Sequence, residues 1–491
     1  MKRLKNGLLV LLLFVAGNLS AQVDTTSYDP AKTYTQTQLL DDLTFLKNVL
    51  TEAHASLYRY QSKAGLDSAF LKATGLLNKP MTEIEFWKVL QPVLAGIRSG
   101  HTVLFYSQAY TAWQNKYPVD YLTPNLAFQD NQLFLHVRDK DTLVRHFAPV
   151  KRIDGIPADQ IIRTLQEYVS GEGLSDQWTK YQLQGIQLSA LYGKVFGYKP
   201  VYSLVIIDSL NNSKTLHIKA THAKHTIGGN EVKQLLENQK DEINKVVSVD
   251  YPSGVPFTAV LKIKGFTYSN YYLSFHEQFF KLMQEDKIQN LVIDIRGNTG
   301  GFPNIGADLM RYLVKNPFTE VEATQVPVNK ITFNDYIMHD QGYDPTQKTT
   351  DKVQPYDYSW RQYGKLYPAA EYHFKKKIYL LIDKGTFSAG SIFAASLKNQ
   401  CKVTVIGEET GGAEAGSDGG FSTIKLPNSG MLLHLPRYWE STTASDHHSK
   451  HGLIPDIVVK NDISWTKYND VVMKKVKELI QTSKQNAVAS N

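Results

Sequence analysis

The stretch LLIDKGTFSAGSIFAASLKN, residues 380–399, changes from a strand pattern to a helix pattern. The polar turn in its middle places Ser388 at the start of the helix. A serine in this position either caps the helix, as serines commonly do, or presents a nucleophilic hydroxyl beside a helix N-terminus. The turn is not the G-x-S-x-G elbow of the α/β-hydrolases, because Thr386 stands where that motif has its first glycine. Taken alone, the stretch favours the cap.

A second junction between a strand and a helix, LVIDIRGNTGGFPNIGADLM, carries the adjacent glycines Gly300 and Gly301. Adjacent glycines let backbone N–H groups come close to a ligand, and polar side chains such as Asp294 and Arg296 can brace the turn. The glycine spacing of dinucleotide loops is absent, and no P-loop lysine follows. An oxyanion-binding turn at the carboxyl end of the strand fits these residues, and a plain tight turn is the alternative.

Histidines that could carry chemistry occur in two places. His101 lies in GIRSGHTVL, just before a predicted strand, and Asp446 lies in the histidine-rich segment TTASDHHSKHGLIPD. The histidines of the second segment lack the spacing and the second ligand pair that are typical of zinc sites. We therefore predict no metal site.

The first residues have the layout of a secretory signal peptide. A positive start is followed by the apolar run GLLVLLLFVAG, which is too short to span a bilayer comfortably, and small residues then lead to a cleavage site after Ala21. A retained N-terminal anchor is the alternative. No later segment is apolar for long enough to cross a membrane, so we expect no stable membrane insertion once residues 1–21 are removed.

Composition excludes several classes of function. The chain has 491 residues, of which 42% are hydrophobic, and this is ordinary for a globular protein of two or three domains. Its single cysteine, Cys401, excludes an internal disulfide. Loss of the three positive charges of residues 1–21 lowers the formal net charge from +7 to +4. This small and dispersed charge argues against a nucleic-acid partner.

The order of predicted elements divides the chain. Residues 22–112 form a helical region that carries His101, and residues 226–465 alternate strands and helices, as in a layered α/β core. Residues 113–225 have a strand–turn–helix order that resembles a PDZ domain, and a plain α+β spacer is the alternative. Residues 466–491 form a C-terminal helix and a tail.

Four segments together resemble the C-terminal-processing and tricorn-core family of serine peptidases. In the family's order they are SGHT, LVIDIRGNTGG, GTFSAGSIFAASLKN, and VIGEETGGAEAG followed by HGLIPDIVV. The resemblance implies an α/β fold with a crotonase-like layered catalytic core. It also implies peptidase activity that needs no cofactor.

The resemblance assigns the chemistry to particular residues. It implies that Ser388 is the nucleophile, and that the backbone N–H groups of Ala389 and of Gly300 or Gly301 form the oxyanion hole. The processing peptidases use a lysine base after the Gly-Glu-x-Thr segment, but Ala413 occupies that place here. A serine–lysine dyad is therefore not expected.

The tricorn-like branch of the family takes a histidine base from the N-terminal region, and His101 occupies that place. An imidazole can accept the serine proton near neutral pH and return it to the leaving amine. The branch also has an acidic third residue shortly before its G-x-x-P-D ending, for which Asp446 is our first candidate and Glu440 the second. This chain departs from the branch at Gly100, where the branch has a serine.

We therefore expect an exported serine peptidase that forms an acyl-enzyme on Ser388 with His101 as general base. It would act on peptides or proteins in the periplasm or outside the cell. The alternative is a catalytically inactive relative of the same fold that binds peptides or other ligands. The sequence does not identify the cleavage preference, and it does not exclude a homo-oligomer.

Overall fold

The structure is a computed structural model. It describes residues 28–123, 125–136, 147–222, 246–267, 270–325, 331–340, 366–444, 446, 448–460 and 470–489. The predicted signal peptide, residues 1–21, lies outside the described residues. Among the helices of the described ranges, none combines the length and the apolar character that a membrane span requires.

The N-terminal region is mainly helical. Its elements are β1 (Thr33–Tyr34), α1 (Gln36–Ala53), α2 (Lys63–Leu76), β2 (Met81–Thr82), α3 (Glu83–Ala95), β3 (Val103–Phe105), α4 (Gln108–Lys116) and β4 (Asp120–Tyr121). Thr35 and Thr82 begin α1 and α3 with capping boxes, in which the threonine and the side chain three residues later each satisfy a backbone N–H group of the other. Apolar faces of these helices pack into one buried cluster.

The middle region is an antiparallel sheet with helices on one face. Its elements are β5 (Leu126–Gln129), β6 (Gln132–His136), β7 (Phe147–Ile153), β8 (Ile156–Pro157), α5 (Ala158–Gln166), α6 (Gln177–Gln182), α7 (Gly185–Phe196), β9 (Val201–Ile207), β10 (Ser213–Lys219) and β11 (Thr221–His222). The strand order is β10-β9-β7-β6-β5. The hairpins β5–β6 and β9–β10 each join strands that lie next to each other in sequence and pair antiparallel. The first turns through Asp130 and Asn131, which both have positive φ, as this type of two-residue turn requires.

The third region contains two sheets. Its elements are β12 (Val247–Asp250), β13 (Thr258–Ile263), α8 (Asn270–Glu285), β14 (Asn290–Asp294), α9 (Pro303–Arg311), β15 (Val321–Gln325), a short 3₁₀ helix (Asn334–Tyr336), β16 (Ile337–Asp340), β17 (Lys377–Ile382), α10 (Ala389–Gln400), β18 (Val403–Gly407), β19 (Gly416–Lys425), β20 (Leu432–Thr442), β21 (Ile457–Val458) and α11 (Val471–Ala489). Helix α11 takes up part of the predicted tail, whose residues up to Ala489 contain no helix breaker.

The first of these sheets confirms the α/β prediction. Its order is β12-β13-β14-β17-β18-β21, and all neighbours except β12 and β13 run parallel. Successive strand residues face opposite sides: Ile293 and Leu380 pack towards α8, α9 and α10, whereas Val292 and Leu381 pack towards α11. Because β14 and β17 are parallel neighbours, the turns that follow them meet at one edge of the sheet.

The second sheet brings the N-terminal region to that edge. Its order is β15-β20-β19-β16, and β3 pairs antiparallel with the first residues of β20. Leu104 lies opposite Leu433, and Val103 lies opposite His434. The residues just before β3, including His101, are therefore fixed relative to the third region by backbone hydrogen bonds.

Asp42 of α1 makes a second connection between the two regions. Its buried carboxylate accepts hydrogen bonds from the backbone N–H groups of Asn428 and Ser429, both at 2.8 Å, in the turn between β19 and β20. It also accepts the Asn428 side-chain amide at 3.0 Å and the Ser429 hydroxyl at 2.6 Å. One side chain thus satisfies four donors.

We expect Asp42→Ala to lower the free energy of unfolding by roughly 2–4 kcal/mol, because it leaves several buried donors without an acceptor. Asp41→Ala, which removes the exposed neighbouring carboxylate, is the matched control and should change stability by less than about 0.5 kcal/mol. Chemical denaturation measures both. Equal losses in the two variants would contradict this role for Asp42.

Candidate active site

Ser388 lies directly after β17 and immediately before α10, with its backbone at φ 52° and ψ −128°. Positive φ is unusual for a residue with a side chain, and such strain is concentrated at functional sites. The carbonyl of Ser388 accepts the N–H groups of Ser391 and Ile392, so its backbone does begin the helix. Within the described residues, however, its side chain makes no capping hydrogen bond. The hydroxyl is therefore left for another partner.

That partner is His101. Its Nε2 lies 3.0 Å from Ser388 Oγ, although the two residues are 287 positions apart in the sequence. The imidazole is 5% exposed. It lies between the rings of Phe387 and Phe421, at centroid distances of 4.6 and 5.4 Å and interplanar angles of 23° and 19°. Both faces of the ring are thus covered by aromatic side chains, and the ring edge points at the serine.

The glycine turn after β14 packs against Ser388. A Cβ atom at position 300 would lie 2.7 Å from Ser388 Cβ and 3.0 Å from the backbone nitrogen of Ala389, so only glycine fits there. The N–H of Gly300 donates to Asn298 Oδ1 at 2.9 Å. Of the two predicted glycine donors, Gly301 is therefore the better candidate. Ala389 is the first residue of α10, where the helix itself does not use the N–H group.

Asp294 and Arg296 brace this turn from behind. The buried guanidinium of Arg296 bonds both carboxylate oxygens of Asp294, at 2.9 and 2.8 Å, and both oxygens of Asp470, at 2.9 and 2.7 Å. Burial alone would raise the pKa of Asp294, but the hydrogen bonds and charge of Arg296, with the charge of Lys262, hold it below its ordinary value. These residues fix the end of β14 to the start of α11.

Asp383 joins the two turns of the site. Its Oδ1 accepts the N–H of Gly297 at 2.8 Å, after β14, and the N–H of Gly385 at 2.9 Å, after β17. Burial raises the pKa of Asp383, against the two N–H donors and the charge of Arg296. The glycine turn and the Ser388 turn are consequently held together.

The two candidates for an acidic third residue lie in different surroundings. Asp446 is exposed, and its carboxylate accepts the backbone N–H of His448 at 2.9 Å. Glu440 is buried in β20. The role of Asp446 stays a prediction.

Within the described ranges of the chain, no group of three or more His, Cys, Asp or Glu side chains is arranged to hold a metal ion.

A third carboxylate, which sequence reasoning missed, approaches the far side of the imidazole. Oε2 of Glu172 lies 4.0 Å from His101 Nδ1 and accepts the backbone N–H of Gly100 at 2.8 Å. Burial and the charge of Asp418 raise the pKa of Glu172 well above its ordinary range. Glu172 belongs to a stretch that has no family motif and no periodicity, so only its position in the fold reveals it.

The structure also explains the departure at Gly100. A Cβ atom there would lie 2.7 Å from the ring of Phe387 and 2.9 Å from Trp178 Nε1. Trp178 of α6 stacks on Phe387 with a centroid distance of 3.8 Å and an interplanar angle of 5°. The middle region thus places an aromatic ring in the space that a serine at position 100 would need.

The chain is similar to known proteins in sequence over part of its length and in fold over most of it. Residues 258–459 match the sequence model of peptidase family S41. No curated protein matches the chain with significance. The fold is similar to the crystal structure of mature CPAF, with a TM-score of 0.59 and 15% sequence identity over 92% of this chain and 98% of that one. Mature CPAF complexed with lactacystin gives a TM-score of 0.58 at 15% identity, with the same coverage of both chains.

We expect Gly100→Ala to destabilise the protein by about 1–3 kcal/mol, because the new methyl group would force apart the rings of Phe387 and Trp178. Gly75→Ala in α2 is the control, since a Cβ atom at position 75 meets nothing within 4 Å. This control should leave stability unchanged or raise it by up to about 1 kcal/mol. Denaturant unfolding compares the two variants. Equal stability of Gly100→Ala and wild type would contradict the packing described here.

Proposed function

We propose that this chain, a serine-type peptidase whose residues 258–459 belong to peptidase family S41, cleaves peptide bonds through an acyl-enzyme on Ser388. His101 is the general base. The observation that carries the proposal is the distance of 3.0 Å between His101 Nε2 and Ser388 Oγ, within the reach that proton transfer requires.

In the first half-reaction, Ser388 Oγ attacks the carbonyl carbon of the scissile peptide bond while His101 Nε2 takes the hydroxyl proton. The tetrahedral intermediate collapses when the C–N bond breaks and the imidazolium gives that proton to the leaving amine. An ester on Ser388 remains. In the second half-reaction, His101 takes a proton from the water molecule that attacks the ester. The bond between the acyl carbon and Ser388 Oγ then breaks, His101 returns the proton to Oγ, and the peptide leaves as a carboxylic acid.

The negative oxygen of each tetrahedral intermediate needs donors that are in place beforehand. We assign this role to the N–H groups of Ala389 and Gly301. Ala389 is at the N-terminus of α10, whose dipole favours negative charge at that end. Gly300 contributes by having no side chain, because its own N–H is bonded to Asn298.

The match of residues 258–459 to peptidase family S41 supports peptide or protein substrates. An inactive binding relative is the weaker reading, because the chain has a serine and a histidine within hydrogen-bond distance, with strain at the serine backbone. We also propose that the catalytic core is crotonase-like and that residues 113–225 form a PDZ-like domain. An experimental structure in which either region has a different strand topology would rule out that description.

We expect Ser388→Ala to abolish labelling by a fluorophosphonate probe, because the probe needs the serine oxygen. His101→Ala should slow labelling by about 10²–10⁴-fold, the usual contribution of a general base. The matched controls are Ser213→Ala and His217→Ala, which remove exposed side chains on β10 and should label like wild type. Labelling is followed by intact-protein mass spectrometry.

Two results would contradict the mechanism. A folded wild-type protein that never labels would refute the nucleophile, and a His101→Ala protein that labels at the wild-type rate would refute the base.

The proposal includes export to the periplasm or beyond it. It is supported by the basic start of the chain, the short apolar run and the small residues before Ala21. We expect the protein recovered from an export-competent Gram-negative host to begin at Gln22, with Lys2→Glu/Arg3→Glu/Lys5→Glu slowing its processing. Sequencing of the mature N-terminus and fractionation of the cells would check this. An intact Met1 in the recovered protein would contradict cleavage.

A further inference from the structure

Residues 170–175, here called the Glu172 loop, are fastened to the segment that carries His101. The hydroxyl of Ser170 donates to the carbonyl of Thr102 at 3.0 Å. The N–H of Gly173 donates to the carbonyl of Arg98 at 3.1 Å, and the Arg98 guanidinium donates back to the carbonyl of Gly173. These bonds lie on both sides of His101 in the sequence, so the loop and the histidine keep one relative position.

The loop presents its carboxylate to the side of the imidazole that faces away from the serine. Glu172 is 1% exposed, and its Oε2 lies 4.0 Å from His101 Nδ1. The same oxygen accepts the N–H of Gly100 at 2.8 Å, which fixes the direction of the side chain. The imidazole therefore lies between two side chains, with its Nε2 facing Ser388 Oγ and its Nδ1 facing Glu172.

The charges around Glu172 make a nearby cation favourable. Asp418 of β19 is a buried carboxylate whose charge acts on Glu172, and it accepts the hydroxyls of Ser56 and Ser99 at 2.7 and 2.6 Å. Burial raises the pKa of Asp418 to about 6. Burial and Asp418 raise the pKa of Glu172, while the Gly100 N–H and the charge of Arg59 act in the opposite direction.

One further titratable group faces this pair. The pKa of the Tyr60 phenol is raised, first by burial and then by the charges of Glu172 and Asp418. A neutral tyrosine cannot balance a carboxylate. The charge of Arg59 balances part of it, and the adjacent imidazole adds a second positive charge whenever His101 is protonated, including while it holds the serine proton.

We propose that Glu172 is the positioning residue for His101. Its carboxylate faces Nδ1–H, which keeps Nε2 free to accept the proton of Ser388, and it stabilises the imidazolium that forms during attack. This role of Glu172 rests on the proposed function, in which His101 is the general base. It assigns to the middle region of the chain the role that the family resemblance gives to Asp446.

The test compares wild type with Glu172→Gln, which keeps an oxygen for the Gly100 N–H and removes the charge. Titration of ¹⁵N-histidine-labelled protein by NMR, with the His101 signals assigned from His101→Ala, should show the midpoint of His101 falling by about one pH unit. The acid limb of fluorophosphonate labelling should move to lower pH by the same amount. The plateau rate should fall by about 10- to 100-fold, because the imidazolium loses its partner.

The control is Glu167→Gln, which removes an exposed carboxylate shortly before the loop and should leave the midpoint and rate unchanged. Glu172→Asp keeps the charge and should retain most of the wild-type midpoint, whereas a purely structural role would make both Glu172 variants behave alike. Thermal unfolding confirms that each variant is folded.

Identical His101 midpoints in wild type and Glu172→Gln would overturn the proposal, as would a fall in midpoint found in Asp446→Asn instead. The titration does not depend on activity. A wild-type protein that fails to label would therefore refute the nucleophile, while the NMR comparison would still decide the role of Glu172.

Discussion

The site depends on the pairing of β3 with β20. Strand β3 has only three residues, yet it carries His101 from the N-terminal region to the sheet that flanks Ser388. Backbone hydrogen bonds set the register of this pairing, and a slip of one residue would turn alternate side chains to the other face. The buried contacts of Leu104 and Leu433 therefore fix where the imidazole lies. The distance between His101 and Ser388 therefore depends on strand register.

Space is the second constraint on the site. Trp178, Phe387, His101 and Phe421 form a column of near-parallel rings, and the imidazole is one member of it. Stacking leaves the ring free to exchange a proton at its edge but restricts tilting of its plane. The column leaves no room for a side chain at Gly100. Helix α6 thus fills, with the ring of Trp178, the place where the resemblance led us to expect a serine.

Elements with strong local patterns could be predicted from the sequence. The N-terminal helices and the α/β order follow from periodicity and turn residues, and the four motifs indicate that Ser388 and His101 belong to one site. What sequence reasoning missed depends on tertiary contacts. Nothing in the amino-acid sequence indicates that the side chain of Asn298 binds the N–H of Gly300, or that Glu172 lies 4.0 Å from His101. Both depend on contacts that no residue spacing encodes.

Ser388, Ala389 and the glycine turn are held in a different way from His101. Asp383 bonds the turns that follow β14 and β17, so Ser388, Ala389 and the glycine turn belong to one rigid edge of the sheet. The histidine reaches that edge on a separate segment of the chain. Bonds from β20 on one side and from the Glu172 loop on the other hold this segment in place. Pairing with the sheet fixes the backbone near His101 but does not by itself set the orientation of the imidazole. A polar partner such as Glu172 therefore contributes most at this ring.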